Sequence, residues 1–145
     1  MIRSLALALA FAGASLSNAV AQCTPIPGVG CLGDPPPTCS GPPSSAAGFS
    51  LRCGGSPASL PCIAPPVMMI GFCSLPIPIL PPLGCSTTCG LVVSPSFGTF
   101  PDPTVVGPGL PVGLKLCVQC ACIASNAAGA LCINLSDGLS VAIVP

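Results

Sequence analysis

Twelve cysteines, all of them beyond residue 22, constrain this 145-residue chain more than any other feature. They are Cys23, Cys31, Cys39, Cys53, Cys62, Cys73, Cys85, Cys89, Cys117, Cys120, Cys122 and Cys132. An even number of cysteines in an exported chain implies a disulfide framework. Twelve thiols allow roughly ten thousand complete pairings, so the connectivity cannot be read from spacing alone. The mechanical consequence is clear all the same. A small core poor in aromatics stabilises a fold weakly, and each disulfide typically adds about 2–4 kcal/mol.

Export is read from residues 1–21. Arg3 supplies a positive start, Leu5–Leu16 an apolar run, and Ala19-Val20-Ala21 a small-x-small site, so cleavage is expected near Ala21/Gln22. The apolar run is shorter than the ~20 residues a bilayer needs, and Gln22 before Cys23 is the wrong residue for lipid attachment. The expected product is secreted or at the cell surface. Ile63–Leu83 is a second uncharged apolar stretch, but its six prolines exclude a spanning helix. One short strand at Val67–Phe72 and an extended connection is the better reading, and the mature form has no stable membrane span.

Charge removes whole classes of function. Past residue 21 the only charged side chains are Arg52, Lys115, Asp34, Asp102 and Asp137, and the chain has no His, Trp or Tyr. A nucleic-acid groove needs clustered Lys or Arg. Acid–base catalysis is disfavoured by three widely separated aspartates, and a serine nucleophile has no histidine base. No catalytic residue, no cofactor and no enzyme activity are expected. Asn134-Leu135-Ser136 matches a glycosylation sequon that reads as accidental.

The chain divides near residue 46. Residues 22–45 are rich in Cys, Pro and Gly without apolar periodicity, and read as an irregular arm held by Cys23, Cys31 and Cys39. From 46 to 145 the pattern is strand-like. Phe49 and Leu51 alternate with Ser50 and Arg52, and Gly54-Gly55-Ser56-Pro57 stops the run. Leu91–Ser94 reads as another strand, ended by Pro95. The strongest alternation is C-terminal: Leu114, Leu116, Val118 and Cys120 share one face, Lys115, Cys117, Gln119 and Ala121 a wetter one. Leu131, Ile133 and Leu135 alternate with Cys132, Asn134 and Ser136. Asp137-Gly138 is a hairpin signal, after which Leu139, Val141 and Ile143 resume the pattern. The fold class is all-β: a small antiparallel β-sandwich of about seven short strands, disulfide-stapled, with an irregular N-terminal arm.

Three runs carry a resemblance: Pro-Leu-Gly-Cys at 82–85, Gly-Leu-Lys-Leu-Cys-Val-Gln at 113–119, and Leu-Ser-Asp-Gly-Leu-Ser-Val-Ala-Ile at 135–143. Together over residues 46–145 the chain resembles the small secreted Pro/Gly-rich β-sandwich modules of planctomycete bacteria. It departs from them in its many cysteines, including Cys117 where an aromatic is common. The resemblance implies an exported sandwich and offers no active site to carry over.

The cysteine spacings invite three chemistries. Cys85, Cys89, Cys117 and Cys120 form two close pairs of the kind that hold zinc, but export favours disulfides, and no metal is expected. Cys117-Val118-Gln119-Cys120 lies in a strand pattern and lacks the helix N-terminus of a redox CxxC. As disulfides, strand geometry suggests Cys117–Cys132 and Cys85–Cys89, while Cys120 and Cys122 share a face and are poorly placed to join each other. With near-zero net charge and surplus cysteines, the function expected is a non-enzymatic structural or assembly protein of the cell envelope or extracellular matrix. Its partners would be itself or other envelope proteins, with bonds between chains among the means. An adhesin-like or inhibitor-like binding module is the alternative.

Overall fold

Prolines mark the edges of this molecule, and the strand arrangement shows why. The computed structural model describes residues 23–31, 34–54 and 62–145. The export signal, Gln22 and the 55–57 turn lie outside the described residues. Nine strands are present among them: β1 (Cys23–Ile26), β2 (Thr38–Ser44), β3 (Gly48–Arg52), β4 (Val67–Pro78), β5 (Gly90–Pro101), β6 (Thr104–Val106), β7 (Lys115–Ser125), β8 (Leu131–Leu135) and β9 (Gly138–Ala142). A six-stranded sheet runs β1-β9-β7-β4-β5, with β8 also paired to β7, and a three-stranded sheet runs β2-β3-β6. All strand pairs are antiparallel. The fold is therefore all-β and disulfide-stapled, as expected.

Proline cannot donate to a ladder and is confined to sheet edges. Pro25 lies in the edge strand β1, Pro42 and Pro43 in the edge strand β2, and Pro95 and Pro101 in the edge strand β5. Pro76 and Pro78 fall in the half of β4 beyond Gly71, where β4 pairs with β5 alone. The half of β4 paired on both sides, Val67–Gly71, contains none, nor do β3, β7 and β9. Thus β4 and β5 run on through prolines expected to end them. The expected irregular arm contributes a strand to each sheet: β1 pairs with β9, and β2 with β3.

The main core lies between the sheets. Phe49 and Leu51 of β3 pack with Met68 and Ile70 of β4, Leu116 and Val118 of β7, and Leu139 and Val141 of β9. Alternation predicted these inward faces. The expected wetter face of β7 is buried too: Cys117 and Gln119 are fully enclosed. The cause is the β4–β5 hairpin, whose register shifts repeatedly between Ile70 and Ile77. The far half of the hairpin brings Val92 and Val93 into a second cluster with Val29 and Cys117. Gly71 permits the approach, since a Cβ there would overlap the Pro95 carbonyl oxygen.

Asp137-Gly138 is not a hairpin turn. β8 and β9 run in one direction along the same side of β7, separated by a bulge in which the register slips by one residue. Ser136 fills the bulge, its amide donating to the Cys120 carbonyl and its Oγ accepting from the Cys120 amide, at 2.9 Å each. The Asp137 carboxylate accepts from the amides of Val29 and Gly30 at 3.0 and 2.7 Å. A Cβ on Gly138 would lie 2.8 Å from Val92 Cγ2. Both residues serve long-range contacts that displace the local turn.

All twelve cysteines pair within the chain. Cys23–Cys39 and Cys53–Cys120 tie the two sheets together. Cys31–Cys89, Cys62–Cys122, Cys73–Cys117 and Cys85–Cys132 fasten loops and the β4–β5 hairpin to the six-stranded sheet. The expected Cys117–Cys132 and Cys85–Cys89 bonds do not form. Cys132 stands opposite Ala124, seven residues and so ~23 Å along β7 from Cys117. Gly71 pairs with Cys117, which places Cys73 beside it instead. Cys120 and Cys122 indeed take different partners.

Candidate functional site

Two concave features stand out, one polar and one apolar. The polar cleft encloses about 200 Å³ where the 34–36 segment, the end of β3 and the bulge of β8 meet. Asp34, Asp102, Asn134 and Ser136 supply its polar groups, and the Cys53–Cys120 and Cys62–Cys122 disulfides line its walls. Asp34 is 4% exposed and Asn134 2%. Asn134 Nδ2 donates to Asp34 Oδ2 at 2.5 Å, while Asp34 Oδ1 and Asn134 Oδ1 have no partner among the described residues. Burial pushes the Asp34 carboxyl up to about 6; the Asn134 hydrogen bond lowers it and the charge of Asp137 raises it further. Asp102 is engaged as an acceptor from the Cys53 amide at 2.9 Å. The sequon asparagine is thus enclosed.

Cys85, Cys89, Cys117 and Cys120, the candidate zinc set, are bonded to Cys132, Cys31, Cys73 and Cys53 and offer no thiolate. The same bonds separate the two members of the CxxC. Among the described residues no group of three or more His, Cys, Asp or Glu is placed to hold a metal ion. No helix there is long and apolar enough to cross a membrane.

The apolar feature is a groove of about 480 Å³ on the outer face of the six-stranded sheet. Val67 and Met69 of β4, Leu91 of β5, Ile123 of β7, and Ile133 and Leu135 of β8 line it, and no charged residue borders it. Ile123 is 50% exposed, and Leu131 beside it 65%. Soluble monomers seldom leave contiguous apolar surface of this kind unless it serves an interaction. Sequence reasoning missed it because β8 is inverted. Cys132 and Asn134, read as its wetter face, are buried, and Leu131 and Ile133 point outward. The Cys85–Cys132 bond and the Asn134–Asp34 hydrogen bond hold the polar face inward. The signal available in sequence was that every second residue of β8 from Cys132 could be tied by chemistry stronger than burial of a leucine.

A second apolar feature lies at the open rim of the inter-sheet core. Phe72 and Phe97 pack edge to face, with ring centroids 4.8 Å apart and planes at 81°. They are 45% and 55% exposed. Of the four phenylalanines among the described residues, Phe49 is buried and Phe100 packs on the core, so Phe72 and Phe97 form the exposed pair.

No protein-family model, curated protein or solved structure matches this chain. Its function rests on its own geometry.

Proposed function

We propose that this protein is a secreted, non-enzymatic structural or assembly component of the cell envelope or extracellular matrix, released by cleavage near Ala21 and associating through its apolar outer face. The observation that carries this reading is the uncharged groove between β4, β5, β7 and β8 with its exposed Ile123 and Ile133, and the exposed Leu131 beside it. Six disulfides agree with folding in an oxidising compartment. Because every cysteine is paired internally, the association is non-covalent; the expectation of bonds between chains is set aside. Past residue 21 only Arg52 and Lys115 stand against Asp34, Asp102 and Asp137, a net charge of −1 that leaves little long-range repulsion between copies.

Sedimentation velocity of the chain from Gln22 onward, over a wide concentration range, tests the reading. Concentration-dependent assembly is expected, and replacing Ile123→Asp should abolish it while leaving the thermal melt unchanged. A wild-type chain that stays monomeric at the highest concentration reached would sink the proposal.

A further inference from the structure

We infer that the occupant of the groove is a second copy of this chain, docked head to tail, with the Phe72–Phe97 pair of one molecule inserted into the groove of the next. The inference rests on the assembly reading above and specifies its contact. The two features belong to different faces. Val67 and Met69 line the groove, whereas Phe97 borders the pocket of Ile70, Phe100 and Leu116 at the rim of the inter-sheet core, and the two linings share no residue. A patch that meets a different patch on the next copy makes a heterologous contact, which closes into a ring or extends as a filament.

The two features match in apolar character and in lacking charge. The two rings already hold each other edge to face, so docking costs little side-chain freedom while burying large apolar area. A groove of about 480 Å³ falls in the range of about 300–1,000 Å³ that encloses compact ligands. Neither feature is lined by a charged side chain, so a charged partner surface would lose hydration there without gaining a counter-charge. Edge-to-edge strand pairing is disfavoured at β1, β2 and β5 by the prolines those strands contain.

A mixing experiment decides it. Phe97→Asp removes the knob and keeps the groove; Ile123→Asp removes the groove and keeps the knob. Each variant alone is expected to sediment as a monomer, and an equimolar mixture to form a one-to-one dimer that grows no further. Should Phe97→Asp assemble like the wild type, or the mixture stay monomeric, the head-to-tail contact is wrong. That outcome differs from failure of the assembly reading itself, in which the wild type does not associate at all. Phe72→Ser with Val67→Asp provides an independent pair, and circular dichroism checks that each variant retains its strands.

Discussion

Enclosing Asp34 lifts its carboxyl from an ordinary 3.8 to about 6, so the folded chain holds a proton that the unfolded chain releases earlier. The stabilisation by the neutral acid is complete below pH 3.8 and is lost as the pH rises through about 6. Stability measured by denaturant titration should therefore fall between pH 4 and pH 6 and level off above, and Asp34→Asn should flatten that slope. Gln119 is the second residue whose polarity matters inside. Its amide donates to the Gly90 and Ser136 carbonyls at 2.8 Å each and accepts from the Val92 amide at 3.1 Å. Gln119→Leu leaves three backbone groups unpaired in a closed interior, and we expect a loss of about 3 kcal/mol or more in guanidinium denaturation. The alternation of β7 places Gln119 on a different face from Val118, but nothing local reveals that a distant hairpin covers that face.

Among the elements, β7 organises the molecule, pairing with β4, β8 and β9 and carrying three disulfide partners. Its existence and inner face were legible because Leu116, Val118 and Cys120 alternate without a proline to interrupt them. The direction of β9 was not, because Asp137-Gly138 favours a local turn in any short-range reading. Two long-range contacts outweigh that preference: the Val29 and Gly30 amides on Asp137, and the close approach of Val92 to Gly138. Asp137→Ala should cost about 2–4 kcal/mol through loss of two charge-assisted hydrogen bonds, read from the shift in denaturation midpoint. The sheet-joining disulfides differ in span, with a sequence separation of 67 for Cys53–Cys120 and 16 for Cys23–Cys39. Chain-entropy arguments give about 4 kcal/mol for the first and about 3 for the second. Paired Cys→Ala variants should lose stability in that order.

At the scale of the whole molecule, six internal staples close the covalent route to association, prolines hinder strand pairing at β1, β2 and β5, and the uncharged groove offers apolar docking. Assembly should then be insensitive to added salt, since no charge borders the contact. Non-reducing denaturing electrophoresis should show a single monomer band. Salt-driven dissociation, or a ladder removed by reductant, would contradict this picture.

From the sequence alone follow the all-β class, the disulfide framework, the absence of a basic groove and the inward faces of β3, β7 and β9. Each depends on composition or on a period of two, which short segments carry by themselves. Only the tertiary structure decided which cysteines meet, that the arm joins both sheets, and that β8 turns Leu131 and Ile133 outward. Most of those outcomes depend on residues distant in the chain, as with Cys85 and Cys132 or Val29 and Asp137. Alternation says that a strand has two unlike faces. Which of them is buried is settled by what the rest of the chain brings against it.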